Sequence, residues 1–452
     1  MNDQRAPESV QNISETPARV TRNYMVIAGL FTLSASLIWG VNTLFLLGAG
    51  LDIFETFIAN AIFTASMALF EIPTGVLADT RGRRISFLLS VITIMIGTLG
   101  YVGVYWYGGG LLWFGIMSVV LGIGYTFYSG AVEAWVVDAL KATKYKGDFD
   151  NIFAKGSIVS GIAMLIGTIS GGLLGTLDLA WPFVARAILL AGLFIFAFFF
   201  MKDLGYKPRT LVFKEIPREM SKIAQASIRF GWRVRPVRLL MMTSFLFSGF
   251  MFWGFYAWQP YFLELLENPE LIWVAGIIAA LVSLTTIAGN VLVNKITKRP
   301  GRRTTYLLWS AIIFTVTMIL TGVFNSFWIV VPIFLLGTTT MGVLGPIKQG
   351  YLHKIIPSEQ RASVISFDSM IGSGGSVLGQ SGLGYISRVQ SIPAGFVVGG
   401  AATVLVIPLV YAVRRMGGPA DEIATTNHEK PGAAAGEGIP EVSGVDTTTR
   451  RE

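Results

Sequence analysis

Cysteine is absent from all 452 residues, and histidine occurs twice, as His353 and His428. Disulfides, thiolate metal sites and cysteine nucleophiles are therefore excluded together. A zinc site or a Ser-His-Asp arrangement has almost nothing to be built from. Charge is scarce too: Asp, Glu, Lys and Arg make up 14% of the chain, where soluble domains carry about a quarter. No Gly-x-x-x-x-Gly-Lys-Ser/Thr phosphate loop occurs, which argues against nucleotide-driven pumping. These shortages also count against a membrane-embedded transferase, which needs nucleophile, base and metal ligands clustered at one membrane face. The chain reads as a non-enzyme with no cofactor and no metal.

Apolar residues fill the space, at 53% of the chain with 51 glycines. They gather into runs near 24–47, 54–78, 86–106, 111–138, 153–177 and 181–201, then 239–263, 272–295, 304–324, 327–352, 362–386 and 392–413. Each is at least the ~20 residues a helix needs to cross a bilayer, and in hydrocarbon the backbone must be satisfied within each segment. Barrel strands alternate over about ten residues; these runs do not. The expected fold is an all-α membrane protein of twelve transmembrane helices. The stretch before Met25 is polar and carries acids, and the first run is too long for a signal segment.

The basic residues fix the expected topology. Arg81, Arg83, Arg84, Lys141, Lys144, Lys146, Lys295, Lys298, Arg299, Arg302, Arg303, Lys354 and Arg361 fall on one side, with both termini and a connector at 202–238. The opposite loops hold only Arg388, and Arg186 lies about a turn inside the sixth helix. That side is read as cytoplasmic, in a multi-pass protein of the cell membrane. The net charge of +8 is then topology and not nucleic-acid affinity. The connector, amphipathic around Ile216 to Phe230, is expected to touch anionic lipid. The domains follow: an arm at 1–23, bundles at 24–201 and 239–415 flanking the connector, and a tail at 416–452 expected to be disordered.

Three short matches recur at nearly one offset. Trp39-Gly40 pairs with Trp253-Gly254, Gly75-Val76-Leu77-Ala78-Asp79 with Asn290-Val291-Leu292-Val293-Asn294, and Gly82-Arg83-Arg84 with Gly301-Arg302-Arg303. An offset of half the membrane domain is the mark of a six-plus-six parallel repeat.

The stretch Gly75 to Arg84 resembles the signature loop between the second and third helices of the major facilitator superfamily. Thr80 precedes Arg81 where that loop usually has a base directly after the acid. Phe70-Glu71-Ile72-Pro73-Thr74-Gly75, Ser129-Gly130-Ala131-Val132-Glu133-Ala134-Trp135 and Ile356-Pro357-Ser358-Glu359-Gln360-Arg361-Ala362 resemble a branch rich in predicted drug exporters. The resemblance implies a cytoplasmic gate of Gly75, Asp79, Gly82, Arg83 and Asp138. In it Asp79 faces the start of the eleventh helix near Ala362, and Arg83 reaches Asp138. Gly167-Thr168-Ile169-Ser170-Gly171-Gly172 is similar to an exporter motif with Thr168 in place of proline. Its structural alternative is small-residue helix packing by Gly167, Gly171 and Gly172. Exporters often carry an arginine where Ser118 stands.

Acids within apolar helices are costly and are functional candidates by default. Glu71 and Glu133 lead as proton-coupling groups, with Asp368 behind them; each has a structural hydrogen bond as its alternative. An aromatic cluster in the seventh helix suggests a solute cavity: Trp253 and Tyr256, with Asn42 facing them from the first, whereas Trp258 and Tyr261 read as an interfacial belt. The expected function is proton-coupled efflux of hydrophobic or amphiphilic organic compounds by a monomer, with a small-molecule substrate, protons and membrane lipid as partners. An uptake symporter or anion carrier on the same fold is the alternative, ahead of an embedded enzyme or a non-transporting sensor.

Overall fold

The computed structural model describes residues 15–206, 221, 225, 227–268 and 270–423. Most of the connector's amphipathic stretch and the tail beyond 423 lie outside them. The first half comprises α1 (Pro17–Ser36), α2 (Asn42–Gly48), α3 (Ile53–Arg81), α4 (Arg83–Tyr107), α5 (Gly110–Tyr128), α6 (Ala131–Ala142), α7 (Phe149–Leu177) and α8 (Trp181–Phe200). The second comprises α9 (Arg235–Leu265), α10 (Ile272–Ile296), α11 (Arg303–Val323), α12 (Phe327–Ile355), α13 (Arg361–Val389), α14 (Ile392–Thr403) and α15 (Val406–Met416).

Ten spans, counting α5 with α6 and α14 with α15, are long and apolar enough to cross a membrane. The interrupted pair α1–α2 and the Ser- and Gly-rich α13 complete twelve. Sequence chemistry marks several helix starts. Asp52 and Glu55 form a reciprocal capping box at α3, the arrangement that satisfies two orphan amides at once. Proline stands in the first turn of α1, α8, α9 and α14, where its missing N–H costs nothing.

In the first bundle α1 packs on α7, α3 on α5, and α4 on α5 and α8. In the second α9 packs on α13, α11 on α12 and α14, and α10 on α12. Between bundles, α3 meets α13, α7 meets α10, and α2 meets α9. Gly167, Gly171 and Gly172 make two of these contacts close. A Cβ on Gly167 would run into Ser36, and one on Gly171 into the Leu37 carbonyl, both in the α1 span. Gly172 lies against Gly276 of α10.

Three runs read as continuous are broken. The fourth divides at Ser129 and Gly130, where Gly130 takes a left-handed φ of 69°, a conformation glycine adopts without a Cβ penalty. The first divides over 37–41 and the twelfth between Thr403 and Val406. A further difference concerns the tail, expected to lack structure from Met416 onward. Residues 417–423 instead fold back, and Glu422–Ile423 pairs antiparallel with Gly301–Arg302. The cause is Asp421, which is fully buried and accepts from the Thr304 amide at 2.8 Å and the Thr304 hydroxyl at 2.9 Å.

Candidate functional site

The loops bearing the clustered Lys and Arg residues define a basic face. The bundles are fastened to each other toward the opposite face. Where α1 gives way to α2, the backbone loses its helical partners, and Gln259 of α9 supplies replacements. Its Nε2 donates to the Trp39 carbonyl at 2.8 Å and its Oε1 accepts from the Thr43 amide at 2.8 Å. The Thr43 hydroxyl donates to the Tyr256 carbonyl at 2.9 Å. Gln380 of α13 donates to Thr64 of α3 at 3.1 Å, and Arg388 pairs with Asp52 at 3.4 Å.

Beneath this layer lies a cavity of about 240 Å³ lined by both bundles. Asn42 and Tyr256 line it. The Asn42 Nδ2 donates to the Asn60 Oδ1 at 3.1 Å, and Asn60, Tyr101, Tyr125 and Phe252 contribute to the wall. Its one charged lining residue among those described is Arg186 of α8, 2% exposed. Arg186 Nη2 donates to the Tyr125 hydroxyl at 3.0 Å, and the guanidinium stands 5.7 Å from that ring.

Trp253 does not line this cavity. It is fully buried among Phe57, Phe250 and Phe396, because the helix turns it about 100° from Phe252 and about 60° from Tyr256, toward the core side. Trp258 and Tyr261 are also core residues and not an interfacial belt, each 1% exposed. The Tyr261 hydroxyl donates to the carbonyls of Thr321 and Phe324.

The three acids occupy different settings in the basic half. Glu71 is exposed, and its Oε1 accepts from Ser129 at the α5–α6 break at 3.3 Å. Glu133 is exposed in the first turn of α6. Asp368 is half-buried and ion-paired: its Oδ2 meets Lys348 Nζ of α12 at 2.6 Å, and its Oδ1 accepts from the Ser244 hydroxyl at 2.7 Å. Lys348 and Ser244 are in contact and line a second cavity of about 200 Å³ inside the second bundle. Lys348 was not among the residues expected from the sequence; its signal was a cation four residues before the end of the apolar run at 327–352.

At the basic face Asp79 pairs with Arg83 at 2.8 Å within one turn. The expected reach of Arg83 to Asp138 is not made, since this nearer carboxylate holds the guanidinium. Among the described residues, no neighbour outside the helix's own backbone lies within 4 Å of where a Gly75 Cβ would be. Gly82, with φ 108°, turns the chain from α3 into α4 against Asp203. Asp203, just past α8, accepts from the Arg84 amide at 2.9 Å, so it caps α4 from elsewhere in the chain. Burial pushes its carboxyl above the ordinary value, against the lowering pull of the Arg84 amide and the Arg84 and Arg83 charges. Tyr206 donates to the Asp79 carbonyl at 2.6 Å. Asp421 plays the same part for α11, so in each half an acid beyond the sixth span caps the third. Neither acid was singled out in the sequence, though they share the spacing of the other repeat matches.

The comparisons with known proteins agree with this architecture. A curated relative, the uncharacterized MFS-type transporter YxaM of Bacillus subtilis (strain 168), is 24% identical over 86% of this chain and 93% of its own. Among solved structures, the nucleoside transporter NupG superposes with a TM-score of 0.70 at 11% identity, over 88% of this chain and 98% of that one. The human organic anion transporter MFSD10 (TETRAN) superposes at 0.61 and 17% identity, over 88% and 100%. At such identities these likenesses show the fold alone. The family model of the Major Facilitator Superfamily matches residues 24–275 and 267–438, spanning both bundles, and the chain is a multi-pass membrane transporter belonging to that superfamily.

Proposed function

We propose that the protein is a proton-coupled secondary transporter that exports an amphiphilic organic compound across the cytoplasmic membrane. The observation that carries this reading is the cavity of about 240 Å³ shared by the two bundles. It lies under a fastened layer on the face opposite the basic loops, while Glu71 and Glu133 stand exposed on the basic side. That is the arrangement of an inward-facing state, in which the proton is released to the cytoplasm and the solute loads from it, before rocking of the bundles exposes the solute outside. Trp39, Phe63, Phe252 and Tyr256 suit an apolar body, and Asn42 and Asn60 suit a polar end.

The test is flux of fluorescent amphiphiles in proteoliposomes under an imposed pH gradient. Export coupled to inward proton movement is expected. Glu71→Gln, and failing that Glu133→Gln, should still exchange solute down its gradient yet fail to accumulate it. Full pH-driven accumulation by both variants would remove these acids from coupling, and uptake with the proton would replace export by symport. Single cysteines at Gly109 and within the connector should label from opposite sides, the connector from the cytoplasm.

A further inference from the structure

Arg186 has donors without acceptors. Its Nε is buried with no hydrogen-bond partner, its Nη2 meets only the neutral Tyr125 hydroxyl, and no carboxylate among the described residues forms an ion pair with it. Arginine cannot escape by losing its proton, and a buried cation without a counter-charge is strongly disfavoured within a membrane. A second orphan lines the same cavity. Asn60 has its Oδ1 engaged by Asn42, while its Nδ2 is buried without a partner. The two residues that carry these unpaired donors, one of them charged, line a space whose other walls are largely aromatic. A neutral solute would leave the guanidinium uncompensated, and a cationic one would be repelled by it.

We propose that Arg186 and Asn60 form a head-group subsite for an anionic organic solute, with a carboxylate or sulfonate on the two donors and a hydrophobic body against Tyr256 and Phe252. This rests on the reading that the transported solute occupies this cavity. A volume of about 240 Å³ is below the usual range of roughly 300–1,000 Å³ for ligand sites, so the body is small, of one or two rings. Arg186 then selects by charge, and its counter-ion arrives and leaves with the solute.

The experiment uses the purified full-length chain in detergent and two matched series, read by thermal shift and isothermal titration. One series is acetate, benzoate, 1-naphthoate and 1-naphthalenesulfonate; the other is the corresponding neutral amides. The ring-bearing anions should bind the wild-type protein at least tenfold more tightly than their amides, equivalent to about 1.4 kcal/mol. Acetate, which lacks the body, should bind weakly. Arg186→Gln should erase the preference for anions over their amides. Arg186→Lys, which keeps the charge, should retain part of the preference, and it serves as the second variant should the glutamine protein not fold. Equal binding of anions and amides by the wild-type protein would overturn the subsite, as would a preference that survives in Arg186→Gln. Failure of every compound in both series to bind would overturn the transport cavity itself, a separate outcome from losing the charge preference alone.

Discussion

Replacing Lys348 by Met leaves the Asp368 carboxylate without its cation, keeping only the Ser244 hydroxyl at 2.7 Å. Breaking a fully buried pair costs about 3–5 kcal/mol. Here the two side chains are 19% and 15% exposed and border a cavity of about 200 Å³. Partial solvation lowers the expected loss to about 1–3 kcal/mol, since exposed pairs contribute only about 0–1. Asp368→Asn should cost a similar amount, because it strands the ammonium instead. The double variant buries no uncompensated charge, so it should recover most of the loss. The assay is a double-mutant cycle on apparent Tm in detergent, with a coupling of about 1–3 kcal/mol between sites that share one interaction. Additive single losses, with no recovery in the double variant, would refute the pair as the stabilising element. Transport by the double variant answers a further point: retained pH-driven accumulation would show that Asp368 is structural.

Asp79→Asn should cut flux at least tenfold while membrane insertion and apparent Tm stay near normal, because the Asp79–Arg83 pair is partly exposed and such pairs contribute less than about 1 kcal/mol; near-normal flux would sink the gating role. Asp203 carries a testable pH dependence. Its folded carboxyl holds a proton more tightly than the ordinary value of 3.8, so the folded state binds more protons than the unfolded state in the window above that value, and stability falls as pH rises through it. Asp203→Asn, which cannot ionise, should lack that part of the fall in Tm measured from pH 4 upward; an unchanged profile would contradict it. Gly276→Leu places a side chain against Gly172 and should wedge α7 from α10, so that a single cysteine at Asn60 becomes reactive to impermeant maleimide from the outside. The natural absence of cysteine makes such labelling free of background, and a cysteine at Asn60 that stays protected would count against the wedge.

Hydropathy exposed most of the architecture, because a bilayer demands long apolar runs whatever their tertiary packing. It could not show where those runs break. The α1–α2 interruption depends on Gln259, a residue over two hundred positions away, and no local pattern records that partnership. Tyr256 and Asn42 were legible as cavity residues by type and depth. Trp253 has the same chemistry, but its angular position on α9 sends it into the core. Lys348 was obscured by its neighbours' apolarity, since a single cation near a basic end counts toward topology until its partners are known, and Arg186, near the opposite end of its helix, registered only as an exception to the charge asymmetry. Asp203 and Asp421 lie in polar stretches where an acid draws no notice. Only the α4 and α11 amides they cap, brought near by folding, give them a role.

Gln259 has a consequence for the kinetics of opening. While the bundles are fastened, one amide group does the work of the missing helical turn, satisfying a carbonyl and an N–H that hydrocarbon would not tolerate bare. Parting the bundles on that side withdraws the amide, so Trp39 and Thr43 must each gain a water as the gap widens. Opening is therefore tied to wetting of the fissure, with two hydrogen bonds exchanged at about 0.5–1.5 kcal/mol each. Osmolytes that lower water activity should slow outward opening, and they should lose this effect in Gln259→Leu, whose break has no amide to surrender.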